Sequence, residues 1–298
     1  MAWLNWPEEL ATGQGLALPR YREHQSLRQD LHGDPVNARL CVFSDGNHHM
    51  ALQEALQVFS LVHPEVGEIF YTTTPPRIAV DMLRGGGLEI GNLRLYVKPH
   101  VFISPPPVLD TLVKEGLLQS YSPFMSCRGV VMLVARDNPK NITGIQDLIR
   151  PDVRLFLSNP VTEKISNQIY TESLRRLATQ KGISLNFLSH APGHHDPAKI
   201  LYGESIHHRE APQAIVDKRA DAAMVFYHLA LRYQRIFPEH FDFVWPIGSL
   251  GDQTLNSNYF SCALVGNGGT WGQTLFEFLM SDTVTKIYEY HGLKRASD

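Results

Sequence analysis

The stretch at residues 99–118 constrains the fold of this chain more than any other part of the sequence. A short apolar run ends at Ser104, three prolines follow, and residues with helical spacing begin at once. Such an abrupt change from strand to helix is typical of parallel α/β sheets, in which ligands bind beyond the carboxyl ends of the strands. The N–H groups at helix N-termini face outward there and attract anions. The stretch therefore predicts a ligand site beside Ser104.

From residue 38 onward the chain alternates between strands and helices. Apolar runs of strand length, in addition to 99–104, occupy residues 39–43, 67–71, 129–135, 153–157 and 222–226. Apolar residues with helical spacing occupy residues 50–59, 78–83, 162–180, 211–219 and 271–290. Residues 88–98 alternate around a Gly-Asn pair, which predicts a small hairpin. The alternation of strand and helix predicts an α/β fold.

Length and alternation together favour two lobes. A chain of 298 residues can bury two separate cores, although length alone also allows one larger domain. The predicted boundaries are a polar extension at 1–38, lobe 1 at 39–122 and 256–298, lobe 2 at 123–255, and hinges near 122–129 and 244–261.

Composition excludes several functional classes. With 43% hydrophobic residues, 19% charged residues and a formal net charge of −3, the chain offers no basic surface for nucleic acid. It has no apolar run of membrane-spanning length, and its start lacks the basic and apolar regions of a secretory signal. It contains no nucleophile elbow, zinc-peptidase, Cys-x-x-Cys or Walker motif, so we expect no enzyme activity.

The three cysteines predict buried thiols. Cys41, Cys127 and Cys262 are odd in number and widely spaced, which argues against a disulfide framework. Unpaired cysteines together with the polar start favour a reducing compartment.

Four segments, taken in order, resemble one family. Residues 41–47, with the helix after them, are similar to its first strand and ligand turn, and residues 99–104 to its D-[LV]-F-[IV]-S strand, with His100 in place of the aspartate. Residues 216–227 are similar to its v-x-x-G-x-A-D-A-G-I-V-Y run, and residues 287–293 to its f-x-x-y-G-F ending. The chain thus resembles the molybdate- and tungstate-binding proteins of ABC importers, within the type II periplasmic solute-binding superfamily.

This resemblance implies a two-lobe α/β fold with a ligand cleft between the lobes. It implies capture of a small tetrahedral oxyanion, molybdate or tungstate, by uncharged N–H and O–H donors, and delivery to the membrane subunits of an ABC importer. It implies no cofactor besides the bound anion. The family indicates the periplasm if a signal peptide was trimmed, whereas a native start at Met1 indicates the cytoplasm.

Carried over position by position, the resemblance places the ligand site in the turns that follow the strands. A ligand serine of the family falls near Asn47, a hydroxyl turn at residues 72–74, and a backbone donor near Asn167. The ligand tyrosine falls at Phe226, which cannot donate, or at Tyr227 if the register slips by one. The predicted ligand-binding residues are Ser44, Asp45, Asn47, Thr72, Thr73, Thr74, Ser104, Asn159, Asn167, Arg209, Phe226 and Tyr227. Alternatively, the three threonines only cap the helix that follows.

Two charged residues depart from the family pattern. Asp45 places a carboxylate in a turn that should hold an anion, and it would repel the anion by several kcal/mol unless a cation or a proton offset its charge. Arg209 stands where the family uses a backbone N–H. An arginine facing an aspartate across the cleft would lock the cleft or give bidentate recognition to a larger oxyanion.

Paired histidines support an alternative hypothesis. One histidine from each of two or three pairs, together with an acidic residue, can bind a transition metal, although adjacent residues point to different faces and no pair chelates by itself. Solvated loop histidines are the simpler explanation. The alternative function is therefore binding or sensing of a transition metal or a metal complex. Its candidate ligands are His48, His49, His207 and His208, with His194 and His195 as a third pair.

Overall fold

The computed structural model describes residue 4 and residues 31–90, 93–188, 196–204, 207–246 and 259–296. The strands in this part of the chain are β1 (Leu31–His32), β2 (Leu40–Ser44), β3 (Ile69–Thr73), β4 (Leu88–Ile90), β5 (Leu93–Leu95), β6 (Val101–Ser104), β7 (Ser122–Cys127), β8 (Val130–Ala135), β9 (Leu155–Leu157), β10 (Ile200–Tyr202), β11 (Ala222–Phe226), β12 (Phe241–Val244), β13 (Tyr259–Leu264) and β14 (Leu293–Arg295). The helices are α1 (His49–Val62), α2 (Pro76–Gly85), α3 (Pro106–Lys114), α4 (Lys164–Lys181), α5 (His207–Val216), α6 (Tyr227–Ile236), α7 (Gly269–Leu279) and α8 (Asp282–Tyr290).

The chain divides into two compact units. The five-stranded unit comprises Cys127–Ser257 with Met1–Pro7, and the seven-stranded unit comprises Glu8–Ser126 with Asn258–Asp298. Each unit contains one main sheet flanked by helices, which confirms the predicted α/β class. No helix in the described ranges is long and apolar enough to cross a bilayer.

The sheet of the seven-stranded unit has the order β1-β3-β2-β6-β13-β7-β14. Strand β2 pairs in parallel with both β3 and β6, whereas β13 pairs antiparallel with β6 and β7. All residues of β2, β3 and β6 are buried, as expected for parallel strands covered on both faces. Because these three strands are parallel, their carboxyl ends lie at one edge of the sheet.

Prolines begin the helices that follow β3 and β6. Pro75 and Pro76 precede or open α2, and residues 105–107 do the same for α3. Proline suits a first helical turn because its fixed backbone angle matches the helix and the missing N–H would have no intrahelical acceptor. Gly86 ends α2 in the left-handed conformation, with φ 70°, which glycine adopts at little cost.

The sheet of the five-stranded unit has the order β10-β9-β11-β8-β12. Strand β9 pairs in parallel with β10 and β11, and β8 pairs antiparallel with β11 and β12. Four strands, β9 to β12, therefore run in the same direction and end at the same edge of the sheet. This edge positions the second group of predicted ligand residues.

Several element boundaries differ from the sequence predictions. The predicted helix at 271–290 is two helices, because Ser281 accepts a hydrogen bond from the N–H of Val284 and caps a new helix, α8. The described part of the predicted 211–219 helix begins earlier, at His207. Strands β1, β7, β10, β12, β13 and β14 were not predicted. Four of them are runs of two to four residues, which carry little periodicity, whereas β7 and β13 overlap the predicted hinges. The hairpin is confirmed by the antiparallel pairing of β4 with β5.

The three cysteines are buried. Burial raises the pKa of the Cys41 thiol to about 11, because the thiolate is poorly solvated in the core. The Cys41 thiol is therefore protonated at neutral pH and acts as a small apolar side chain.

Candidate functional site

The candidate site in the seven-stranded unit lies where β2, β3 and β6 end. Ser44, the last residue of β2, is in register with Thr73 on β3 and with Ile103 on β6. The residues that follow these register positions are therefore brought together at the carboxyl edge of the sheet. We call Ser44, Asp45, Thr74 and Ser104 the strand-end cluster.

Backbone hydrogen bonds hold the parts of this cluster against one another. The N–H of Asp45 donates to the carbonyl oxygen of Ile103 at 3.3 Å, and the N–H of Thr74 donates to the carbonyl oxygen of Ser44 at 3.1 Å. Gly46 is required by close packing, because a Cβ at this position would lie 2.5 Å from the carbonyl oxygen of Thr73. Asp45 is thus held between the ends of β3 and β6.

Two hydroxyl groups of the cluster are buried without a partner. Thr74 is 0% exposed and Ser104 is 1% exposed. Neither Thr74 Oγ1 nor Ser104 Oγ has a hydrogen-bond partner among the residues that the structure describes. A buried polar group without a partner costs about 1–3 kcal/mol, so two of them at one sheet edge indicate a place that a ligand completes.

The carboxyl group of Asp45 is also buried at this edge. Its Oδ1 accepts a hydrogen bond from the N–H of Asn47 at 3.0 Å and caps the short 3-10 helix Gly46–His48, whereas its Oδ2 has no partner in the described part of the chain. Burial raises the pKa of Asp45 to about 7, because the ionised carboxylate is desolvated, and the hydrogen bond from Asn47 opposes this shift. The predicted carboxylate is therefore close to half protonated at neutral pH.

The helix N-termini beside the cluster supply few N–H donors. Pro105, Pro106 and Pro107 have no N–H, and the next group along α3, the N–H of Val108, donates to the carbonyl oxygen of Pro105. The expectation that N–H groups of this helix face an anion beside Ser104 is therefore not met. Hydroxyl groups are the donors that this edge offers.

Three other predicted residues of this edge already have partners. The hydroxyl of Thr72 accepts from the N–H of Ser44 at 3.3 Å, so it supports the strand. The hydroxyl of Thr73 lies 2.9 Å from Nε2 of His32. His32 belongs to β1 and stacks on Tyr71, although it lies within the predicted polar extension. The N–H of Asn47 donates to Asp45 Oδ1.

A buried hydrogen-bond chain connects Ser44 to helix α8. Ser44 Oγ lies 2.9 Å from Nε2 of His48 and donates to the carbonyl oxygen of Asp45, and His48 Nδ1 lies 2.8 Å from the hydroxyl oxygen of Tyr288. Sequence reasoning missed Tyr288, which occupies an ordinary apolar position of the last helix. Ser44 and His48 therefore form a support behind the cluster.

In the five-stranded unit, Ser158 follows β9 at the carboxyl edge of that sheet. Its hydroxyl is buried and has no partner in the described ranges. Asn159 caps the following turn: its Oδ1 accepts from the N–H groups of Val161 and Thr162, at 2.8 and 3.0 Å. Ser158 was not among the predicted ligand residues, although a serine at a strand end was the signal that pointed to Ser104.

Asn167 does not supply the backbone donor that the resemblance implies. Its N–H donates to the carbonyl oxygen of Glu163 at 3.0 Å, within the first turns of α4. Its side-chain amide donates to the carbonyl oxygen of Ser158 at 2.7 Å. Asn167 therefore holds the loop after β9 in place.

Phe226 and Tyr227 mark the end of β11. Phe226 is buried, whereas the half-buried ring of Tyr227 packs against Trp245 with 5.0 Å between ring centroids. The N–H of Tyr227 donates to the carbonyl oxygen of Gly129 at 3.0 Å. Tyr227, rather than Phe226, brings a polar side chain to this edge. Trp245, which follows β12, was missed because an isolated tryptophan carries no spacing signal.

Helix α5 carries the histidine pair and arginine that the sequence singled out. His207 is buried, its Nε2 lies 2.7 Å from the carbonyl oxygen of Met224, and its Nδ1 has no partner among the described residues. Burial lowers the pKa of His207 to about 4, so the ring is neutral at pH 7. The backbone carbonyl of His208 accepts a hydrogen bond from the hydroxyl of Tyr233. Burial raises the pKa of Tyr233, and the positive charge of Arg209 acts against this shift.

The structure gives no support to the metal alternative. Within the described ranges, no group of three or more His, Cys, Asp or Glu side chains can hold a metal ion. His49 Nδ1 lies 2.9 Å from the carbonyl oxygen of Gly46, and His48 belongs to the chain described above. His194 and His195 lie outside the described residues.

Comparison with known proteins places the chain in a family. A model of bacterial extracellular solute-binding proteins matches residues 40–294, which include both units' candidate residues. The chain belongs to this family. The family description indicates that proteins of this kind bind a solute. Comparison with curated protein sequences gave no match.

Solved structures share the fold of this solute-binding protein at low sequence identity. The sulfate-binding protein SubI of Mycobacterium tuberculosis is 16% identical, with a TM-score of 0.62 and coverage of 87% of both chains. The periplasmic molybdate-binding protein of Azotobacter vinelandii is 12% identical, with a TM-score of 0.60, covering 87% of this chain and all of its own. The tungstate-binding protein TupA of Desulfovibrio alaskensis is 10% identical, with a TM-score of 0.57, covering 87% and 99%. The neighbours confirm the predicted solute-binding fold.

Proposed function

We propose that this solute-binding protein captures a small tetrahedral oxyanion at the strand-end cluster, with molybdate or tungstate as the first candidates, for delivery to the membrane subunits of an ABC importer. The observation that carries this proposal is the pair of buried hydroxyls, Thr74 Oγ1 and Ser104 Oγ, which have no partner among the described residues. They lie on either side of the turn after β2, and an anion oxygen is the partner that a hydroxyl donor fits.

The chemistry of the cluster supports an anion of this size. Neutral hydroxyl dipoles that are already fixed by the fold hold a doubly charged anion with little loss of conformational freedom. The family and the names of the structural neighbours, which include molybdate-, tungstate- and sulfate-binding proteins, support the same ligand class. The metal hypothesis has no such support among the described residues.

A thermal-shift screen of chelator-treated protein tests the ligand class. Molybdate, tungstate, sulfate and phosphate are compared with zinc, nickel, cobalt and copper ions. An anion at about a hundredfold over its dissociation constant adds roughly 2.7 kcal/mol of stability, which raises the midpoint by several degrees. Stabilisation by metal ions alone would overturn the proposal in favour of the histidine hypothesis.

Removal of either hydroxyl should weaken anion binding. Thr74→Val and Ser104→Ala each delete one donor to a charged ligand, so we expect roughly 10- to 100-fold weaker binding by isothermal titration calorimetry. Ser60→Ala is the matched control, since Ser60 Oγ is also buried without a partner in the described ranges but lies in the last turn of α1. Unchanged affinity in both cluster variants would contradict the proposed site.

A further inference from the structure

Asp45 is the member of the strand-end cluster that ordinary anion binding does not explain. Its side chain is 1% exposed, and Oδ2 has no partner among the described residues. An ionised carboxylate only accepts hydrogen bonds, and so does a fully deprotonated oxyanion. Two such groups cannot share one buried site unless a donor lies between them.

The fold keeps Asp45 beside the two residues that carry the unpartnered hydroxyls. The N–H of Asp45 is bonded to the carbonyl of Ile103, the residue before Ser104. The carbonyl of Ser44 accepts from the N–H of Thr74 on the other side. Oδ1 accepts from the N–H of Asn47, which leaves Oδ2 as the carboxyl oxygen without a partner among the described residues. The backbone of Asp45 is therefore fixed by the two neighbouring strands, and its side chain by the hydrogen bond from Asn47.

No cation neutralises Asp45 in the part of the chain that the structure describes. The titratable groups around the turn are three histidines and one tyrosine. His32 contacts Thr73, His48 contacts Ser44, and His49 contacts the carbonyl oxygen of Gly46. Tyr288 lies behind His48. None of them bonds to the Asp45 carboxyl group. Burial raises the pKa of Tyr288 well above its ordinary value, and the charge of Asp45 adds to this, so the phenol stays neutral.

We propose that Asp45 and the bound oxyanion share one proton, so that the protein takes up a proton with each fully deprotonated dianion that it binds. This inference rests on the proposed function. The proton lies between Oδ2 and one anion oxygen, as either a carboxylic acid donating to the dianion or a protonated anion donating to the carboxylate. In both arrangements the complex consists of the dianion, the Asp45 carboxylate and one proton taken from water. No other bond is made or broken.

The proton requirement divides tetrahedral anions into two groups. Molybdate and sulfate carry no proton in mildly alkaline solution, so the solvent must supply it. Phosphate at the same pH is mainly the hydrogenphosphate dianion, which brings its own proton. Burial raises the pKa of Asp45 to about 7, so in the free protein the carboxyl group is ionised at pH 8.5 and protonated at pH 6. Proton uptake with molybdate or sulfate should therefore be present at pH 8.5 and absent at pH 6.

Titration calorimetry at pH 8.5 measures the number of protons taken up on binding. Molybdate and phosphate are each titrated in Tris and in HEPES, because the two buffers release different heats when they give up a proton. Sulfate replaces molybdate if only sulfate stabilises the protein in the screen. We expect close to one proton per site for molybdate or sulfate, and close to none for phosphate. We also expect the molybdate affinity to be constant below pH 6 and to fall about tenfold for each pH unit above about pH 7.

Asp45→Asn tests the assignment to this residue. The amide keeps an oxygen for the N–H of Asn47 and places an NH₂ donor where Oδ2 stood. We expect it to bind molybdate without proton uptake, independently of pH, and at least tenfold more tightly than the wild type at pH 8.5. Asp34→Asn is the control, because Asp34 accepts from the N–H of Val36 in an exposed turn of the same unit, and it should behave as the wild type.

The outcomes separate this inference from the proposed function. Molybdate or sulfate binding at pH 8.5 with no proton uptake by the wild type overturns the shared proton and leaves anion capture intact. Loss of binding by Asp45→Asn in a folded protein also overturns it, and the wild-type titration decides alone if the variant does not fold. Absence of binding by every anion overturns both.

Discussion

At the scale of single residues, the strand-end cluster combines hydroxyls that need an acceptor with a carboxyl group that needs a donor. Thr74 and Ser104 could be predicted, because each is a hydroxyl residue where an apolar strand ends and prolines follow. The partners of Thr73 and Ser44 could not be predicted. Thr73 bonds to His32, which is 41 residues away in the chain. Ser44 is linked through His48 to Tyr288, which is 240 residues from His48. Such contacts depend on the packing of distant strands and helices.

Asp45 should make the protein less stable as the pH rises. Its pKa is about 7 in the folded state against 3.8 ordinarily, so between these values the native state binds more protons than the unfolded state. The free energy of unfolding therefore falls as the pH rises from about 4 to 7, by roughly 4 kcal/mol in total from this residue. Urea unfolding of the wild type and of Asp45→Asn, without anions, measures the difference.

The variant should lose this contribution and gain stability relative to the wild type at pH 8. Asp34→Asn again serves as the exposed control, and between about pH 4 and 7 its free energy of unfolding should show the same pH dependence as that of the wild type, because hydrogen bonds lower the pKa of Asp34. Equal pH dependence of unfolding in Asp45→Asn and the wild type would show that the carboxyl group is better solvated than its burial indicates.

At the scale of elements, the turn between β2 and α1 depends on Gly46. A Cβ there would lie 2.5 Å from the carbonyl oxygen of Thr73, which is backbone and cannot move aside without shifting β3. We expect Gly46→Ala to cost about 1–3 kcal/mol of stability and to weaken anion binding, because Asp45 moves with the turn. Chemical unfolding and titration calorimetry with molybdate check both effects.

Gly85→Ala is the matched control for this prediction. Gly85 lies at the end of α2, and a Cβ there meets nothing within 4 Å. Alanine is a better helix former than glycine, so this change should be neutral or stabilising by up to about 1 kcal/mol. A Gly46→Ala protein as stable as the wild type would contradict the packing of the turn against β3.

The elements that sequence predicted well are those with a long apolar pattern. The parallel strands at residues 40–44, 69–73 and 101–104 are continuous buried runs, and the helices after them have clear spacing. The single helix predicted at 271–290 was wrong, because the apolar face continues across Ser281 while its side chain caps a second helix. The prediction that the start of α3 offers N–H donors was wrong, because prolines, which have no N–H, occupy its first positions.

At the scale of the whole molecule, the two units carry buried groups with opposite pH dependence. His207 in the five-stranded unit has a pKa of about 4 in the folded state against 6.5 ordinarily, so the unfolded state binds more protons between these values. That unit should lose stability as the pH falls from about 6.5 to 4. The seven-stranded unit, which contains Asp45, should lose stability as the pH rises over much of the same range.

Scanning calorimetry should therefore resolve two transitions that move in opposite directions. Between pH 5 and pH 7 we expect each unit to change by about 2 kcal/mol from its own buried group, with opposite signs. His207→Gln, which keeps a donor for the Met224 carbonyl, should remove the pH response of one transition, and Asp45→Asn that of the other. Two transitions that shift together would show that the units unfold as one.

The strand order of the seven-stranded unit also matters during synthesis. Strand β13 pairs with β6 and β7 near the middle of the sheet, yet residues 259–264 leave the ribosome only after the whole five-stranded unit has been made. Until then β6 has an unpaired edge, which is a template for pairing with another chain. A nascent chain therefore exposes this edge until β13 has been made, and β6, which ends at Ser104, gains its second neighbouring strand only late in translation.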